Sequence, residues 1–441
     1  MAYLVHSDEE RRQMLAAIGA GSVEDLLGDV PETLRLEQLP LPPGLSESET
    51  LGAIRRLAGR NRVYEDRLCF RGAGVYRRFI PSLVDAVISK PEFYTAYTPY
   101  QPEASQGTLQ AIFEYQTLVA ELTGMEVANA SLYDGATAVA EAAMMAVVQT
   151  GRRLVAVAPH LHPEYLEVLR CYGEGRGFAV TEDLEAGEHA AAVVFQQPDF
   201  LGLLGEPAAL VEMAHAQGAL AIACVDPISL ALLASPGEYG ADIAVGEGQQ
   251  LGLPPSLGGP HLGFIACRLD LVRRLPGRLV GQAADAGGRR GFVLTLTARE
   301  QHIRRAKATS NICTNHSLCA LAASVYLTYM GPDGLRQVAQ VGFDRAHALA
   351  ARLCELPGIE AAYPGRPFLN EFPLRFSGEL RSRLESRCEA AGILGGMPVG
   401  RWYPDLEDVV TFCCTEVNDP GALDLLVAEA AAATGASEAV T

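Results

Sequence analysis

The stretch DIAVGEGQQLGLPPSLGGPHLGFIAC, residues 242–267, decides how the chain is read. Two short apolar runs, DIAVG and LGFIAC, flank a loop rich in glycine and proline. Runs of that length without polar alternation predict strands buried on both faces. The same kind of run recurs upstream at 127–130, 154–159 (LVAVAP), 191–196 (AAVVFQ) and 219–226 (ALAIACVD). Helical patterns lie between them. Leu109, Ile112, Phe113, Val119 and Leu122 recur at helical spacing and stop at Gly124. Ala136 to Thr150 is apolar on nearly every face, Pro163 to Tyr172 places proline in a first turn, and Ala208 to Gln217 follows. This alternation predicts an α/β domain with a mostly parallel, doubly wound sheet.

On the N-terminal side, Ser7 and Glu10 form a capping-box pattern ahead of Met14, Leu15 and Ile18, and Ser22 with Asp25 starts a second short helix. LPLPPGLSESE (39–49) reads as a linker with a fresh helix start at Ser46 or Ser48. On the C-terminal side, Leu318 to Met330 predicts a long helix. FPLRF (372–376) and DVVTFCC (408–414) predict strands, and Ala422 to Ala432 a last helix. The expected division is a helical arm over 1–69, a large α/β domain over 70–317 and a smaller α+β domain over 318–441.

The 441 residues are 49% hydrophobic and 20% charged, which fits a packed chain, and the net charge of −18 argues against nucleic acid or an anionic membrane as the main partner. The start, MAYLVHSDEERRQ, has no apolar signal core, and the most apolar stretch, Ala136 to Val148, is too short to span a bilayer. Ten cysteines include no C-x-x-C pair, so buried thiols in a reducing compartment are expected, not disulfides or zinc. These features predict a cytoplasmic protein. His160 and His162 could ligate a metal, but no third ligand is near in sequence, and they read as polar groups of a loop.

In doubly wound sheets, ligands bind beyond the carboxyl ends of the strands. Three features fall there. Tyr133-Asp134-Gly135-Ala136-Thr137 opens the buried helix with small residues, as an anion site needs and as an ordinary helix cap also does. Asp226 ends a strand, where a carboxylate can pair with a pyridinium nitrogen or cap a helix beginning at Pro227. The loop of 242–267 is the place where pyridoxal-phosphate enzymes of this architecture carry their Schiff-base lysine, and here Gln249 and Gln250 stand in it. Glutamine cannot form an imine. The chain has two lysines, Lys90 and Lys307, and neither lies in such a loop. Thr137, Asp226 and Gln249 therefore outline a degenerate cofactor site.

Two further segments concentrate polar and aromatic groups. FYTAYTPYQPEASQG (93–107) holds Tyr94, Tyr97, Tyr100, Gln101 and Glu103 on a stiff loop, which suits a site or a loop packed by its own tyrosines. REQHIRRAKATSNICTNHSL (299–318) sets Thr309, Ser310 and Asn311 after a basic run, which suits a phosphate or a solvated helix end.

The segments FYTAYTPYQPEASQGTLQAIFEYQTLVAELTGMEVANASLYDGATAVAEA and REQHIRRAKATSNICT resemble the N-terminal half of the P-proteins of the glycine cleavage system, which many bacteria split into two homologous chains. The resemblance implies a fold-type I pyridoxal-phosphate architecture. It implies a second, homologous subunit bearing the lysine and the cofactor, in an α2β2 assembly. Glycine would lose carbon dioxide, and its aminomethyl group would pass to the lipoyl arm of H-protein. On this reading Tyr94, Tyr97, Tyr100, Gln101 and Glu103 serve the catalytic end of an interfacial site, and Thr309, Ser310 and Asn311 reach the partner's cofactor phosphate. An independent pyridoxal-phosphate aminotransferase or decarboxylase, a purely structural scaffold and a phosphate-ligand sensor are the competing expectations.

Overall fold

The computed structural model describes residues 5–36, 39–61, 63, 67–185, 189–256 and 258–435. The chain divides into two units, residues 1–62 and 63–441. In the first, α1 (Asp8–Ala17) and α2 (Glu47–Ala58) each begin with a complete capping box, Ser7 with Glu10 and Ser46 with Glu49. Each serine hydroxyl satisfies a backbone N–H that the helix leaves unpaired. None of the described residues 5–61 is buried, so the apolar stripe of Met14, Ile18, Leu51, Ile54 and Leu57 faces outward.

The second unit is built on a seven-stranded sheet. Its strands in chain order are β1 (Val127–Ala128), β2 (Leu154–Val157), β3 (Ala179–Thr181), β4 (Ala192–Gln197), β5 (Leu220–Val225), β6 (Ile243–Glu247) and β7 (Gly263–Cys267). The spatial order is β1-β7-β6-β5-β4-β2-β3. Pairing is parallel from β3 to β6, with Val193 opposite Ala221 and Cys224 opposite Val245, and antiparallel at β7. Alternate side chains enter two separate cores. Val193, Phe195, Ala223 and Val225 join one, and Ala192, Val194, Ile222 and Cys224 join the other. That is why these strands carry no polar face.

Helices α3 (Gln106–Thr123), α4 (Gly135–Thr150), α5 (Pro163–Arg176) and α6 (Pro207–Ala216) connect the strands. Ten of the sixteen residues of α4 are buried, including Glu141. A helix, α7 (Ser317–Cys354), leads out of the sheet. It runs past the expected end at Met330: the backbone turns at Gly331 (φ 60°, ψ −178°) and helix resumes with Pro332 in its first turn. Beyond it a four-stranded sheet containing Glu371–Phe376 and Val409–Cys413 packs with Leu380–Ala390 and Pro420–Thr434 around Phe372, Phe376, Phe412 and Leu426. Among the described residues no helix is long and apolar enough to cross a membrane.

Candidate functional site

The carboxyl ends of β4, β5 and β6 bring Gln196, Asp226 and Glu247 to one cleft. The chain itself fills it. Residues 73–78 run through the cleft as a strap. Tyr76 exchanges backbone hydrogen bonds with the Gln249 side chain: its N–H donates to Oε1 at 3.0 Å and its carbonyl accepts from Nε2 at 3.2 Å. The Tyr76 hydroxyl donates to Glu371 Oε2 at 3.0 Å, and the Ala73 N–H donates to Glu371 Oε1 at 2.7 Å. Arg78 donates through Nε to Gln250 Oε1 at 3.0 Å and through Nη1 to Glu416 Oε2 at 2.9 Å.

Asp226 is consumed by this network. Its Oδ1 accepts from Gln250 Nε2 at 2.7 Å and from the N–H groups of Ile228 and Ser229 at 2.8 and 3.3 Å. The turn-capping role and the network role are thus met by one oxygen. Burial raises the Asp226 pKa, against the pull of Arg78. Burial also lifts Glu371, to about 7, despite its bonds to Ala73 and Tyr76. For Arg78, burial opposes the charge, and the carboxylates of Glu416 and Asp226 outweigh it.

The anion cradle is filled as well. Asp134 and Thr137 cap α4 reciprocally: Asp134 Oδ1 accepts the Thr137 N–H at 2.7 Å, and the Thr137 hydroxyl bonds the Asp134 backbone. The N–H of Gly135, which would face a phosphate, donates to Glu247 Oε2 at 3.0 Å. Glu247 Oε1 accepts from Gln249 and Leu262 at 2.8 and 2.9 Å. A carboxylate from β6 thus occupies the positive end of the helix. Residue 135 must be glycine here, because a Cβ would lie 2.5 Å from the Tyr165 hydroxyl and 3.1 Å from Glu247 Cβ.

His162 stacks on Tyr165 with centroids 4.4 Å apart, and its Nε2 lies 3.1 Å from the Ala73 carbonyl. His160 instead meets Asp199 Oδ2 at 3.1 Å. The two histidines have separate partners. The space left among Gly74, Tyr76, Asp226, Glu247, Gln250 and Glu371 is about 40 Å³, against several hundred Å³ for an ordinary cofactor pocket. Both lysines, Lys90 and Lys307, are exposed.

The second candidate region is open. Tyr94, Tyr97 and Tyr100 are 68%, 88% and 54% exposed, and Gln101 and Glu103 are exposed beside them. Tyr100 is anchored: Arg278 Nη2 donates to its hydroxyl at 3.3 Å, and the guanidinium carbon sits 5.6 Å from its ring centroid. Phe79, immediately after the strap, is also largely exposed. In the third region, Thr309 is half-buried, while its neighbours are engaged within the chain. Ser310 is buried and its Oγ accepts the Ile312 N–H at 3.0 Å, and Asn311 Oδ1 accepts from Arg176 Nη2 at 2.9 Å.

Residues 1–411 match the family described as glycine cleavage system P-protein. The chain belongs to that family. A probable glycine dehydrogenase (decarboxylating) subunit 1 of Desulfitobacterium hafniense is 48% identical over 442 aligned residues, covering 97% of this chain and 99% of that protein. A crystal structure of a P-protein glycine decarboxylase in inhibitor-bound form superposes with a TM-score of 0.89 at 47% identity, covering 98% of this chain and 100% of that one. A C-DES mutant with glycine linked to its pyridoxal phosphate shares the fold alone, with a TM-score of 0.58 at 14% identity, covering 83% of this chain and 97% of that one.

Pyridoxal phosphate does not fit the cleft of this P-protein chain. The group needs an imine lysine, an open anion cradle and room for a ring. Gln249 and Gln250 replace the first, Glu247 closes the second and the Tyr76–Arg78 strap takes the third. The sequence outlined Thr137, Asp226 and Gln249. It missed Tyr76, Arg78, Glu247 and Glu371. The readable signal was the pair of buried-type charges in GVYRRF and in AVGEGQQ, each unusual inside an apolar context.

Proposed function

We propose that this chain is subunit 1 of the glycine decarboxylase of the glycine cleavage system, supplying surface loops to a catalytic site whose lysine and cofactor belong to a homologous second subunit. The reaction releases carbon dioxide from glycine and passes the aminomethyl group to the lipoyl arm of H-protein. The observation that carries this reading is the contrast within one chain between a cleft closed by its own side chains and an exposed loop of three tyrosines. The assembly is two copies of each subunit, in the cytoplasm.

The loop residues do what a neighbouring active site requires of a visitor. Tyr94 and Tyr97 present hydroxyls that can orient glycine and shield it from water. Tyr100, fixed by Arg278, holds the loop. Gln101 adds an amide donor and acceptor, and Glu103 a carboxylate that can take or return a proton. Of the basic-run trio, Thr309 keeps an uncommitted hydroxyl for the partner's phosphate, whereas Ser310 and Asn311 hold the loop from within.

Reconstitution tests the reading. The purified chain, mixed with pyridoxal phosphate and borohydride, should trap no imine at Lys90 or Lys307. Together with the second subunit it should restore glycine–bicarbonate exchange. Exchange by the chain alone, with a trapped lysine, would establish an independent enzyme instead.

A further inference from the structure

A second cavity lies between α4, α5 and the segment 309–312, apart from the filled cleft. Its volume is about 310 Å³, and Tyr133, Glu141, Tyr172, Arg176 and Asn311 line it. Glu141 comes from the most buried helix of the fold and is 2% exposed. Its Oε2 has no hydrogen-bond partner in the chain, while the Ser310 hydroxyl favours the ionised form of the same carboxyl group without offsetting its burial. A buried polar atom without a partner calls for a ligand or an ordered water.

Arg176 lines the same cavity from the end of α5. One Nη2 N–H goes to Asn311 Oδ1, which leaves the rest of its fork of donors. Because Arg176 takes the Asn311 oxygen, the Asn311 amide NH₂ is left to donate. The two charged groups therefore present one acceptor end and one donor end to a single space. A simple cation would face Arg176, and a simple anion would face Glu141. A molecule carrying both charges a few bonds apart satisfies each. The tyrosine rings and Ile312 form a largely apolar wall for whatever lies between them. Burial raises the Glu141 pKa to about 7, so a ligand's ammonium group would draw it into the ionised form.

We propose that this cavity binds a free α-amino acid with a small or apolar side chain, its ammonium group on Glu141 and its carboxylate on Arg176 and Asn311. The site needs no partner subunit and no cofactor, so it stands or falls independently of the catalytic reading.

Isothermal titration calorimetry on the full chain tests it, with glycine, L-alanine and L-leucine as probes and with acetate and methylammonium as single-charge controls. Saturable binding of at least one amino acid, absent for both controls, is expected. Glu141→Gln and Arg176→Gln should each weaken it tenfold or more. Cys171→Trp, at the exposed rim, should block it while leaving the melting temperature unchanged. If Glu141→Gln does not fold, the Arg176 and Cys171 variants decide. No saturable binding by any of the three amino acids would overturn the proposal, as would affinity unchanged in Arg176→Gln.

Discussion

The cleft and the tyrosine loop treat polar groups in opposite ways. In the cleft, Tyr76, Arg78, Gln249, Gln250, Asp226 and Glu371 satisfy one another. On the loop, Tyr94 and Tyr97 face outward, 68% and 88% exposed. A closed network gives stability and rigidity, and leaves nothing for a substrate. An open aromatic loop gives little to stability and is available to a neighbour. One chain thus holds both a closed network and an open aromatic surface, and the change begins at once after the strap, where Phe79 is already 65% exposed.

The comparison breaks most sharply at Arg78. Its side chain is 2% exposed and paired with Glu416. Arg78→Ala leaves the Glu416 and Asp226 carboxylates without their cation, and breaking such a buried pair costs about 3–5 kcal/mol. Urea unfolding of the chain measures this, and a loss under 1 kcal/mol would mean the network is not closed as described. Tyr97→Ala probes the other side. At 88% exposure it should leave the unfolding midpoint unchanged, yet lower kcat of the reconstituted enzyme by roughly 100-fold if its hydroxyl serves proton transfer or orientation. Full activity would assign the loop a structural role only.

The smallest effect is in pH. Glu371 has a folded pKa of about 7 through burial, above the ordinary carboxyl value of roughly 4.3. Between these values the folded chain holds a proton that the unfolded chain has lost. Stability therefore falls as pH rises through that window, by at most about 1.4 kcal/mol per pH unit, and is level above it. Glu371→Gln keeps the hydrogen-bonding shape without the titration and should flatten the slope of melting temperature between pH 5 and pH 7. Buried Asp226 and Glu141 titrate upward in the same sense, so the slope should shrink and not vanish. A slope identical to the parent's would remove Glu371 from the account.

Much of this architecture is legible in the sequence. The strands at 192–197, 220–225, 243–247 and 263–267 sit where unbroken apolar runs placed them, because a sheet covered on both faces admits no polar alternation. The edge strand Ala179–Thr181 leaves no such signal: it is short, half-exposed and carries no apolar run. The hairpin of Val280–Ala284 with Arg290–Leu294 was hidden for the same reason, since most of its outer residues are polar or small. Helix α7 was cut short at Met330 because Gly331-Pro332 reads locally as a stop, whereas the fold uses it as a kink. The absence of a loop lysine was plain. What filled its place was not, because Arg78 meets Glu416 across 338 residues of chain and no local pattern encodes that pairing.

Glu247, the β6 carboxylate seated against the first turn of α4, has a consequence for what single substitutions can do. Placing lysine at position 249 or 250 would set a cation near Arg78 in a buried space. Removing Glu247 alone would strip three backbone N–H groups of their acceptor. Withdrawing the strap alone would uncover Asp226 and Glu371. Each of these steps is unfavourable until the others have been made, so no single substitution reopens the cleft: its closure is locked in by epistasis among Gln249, Gln250, Glu247 and the strap.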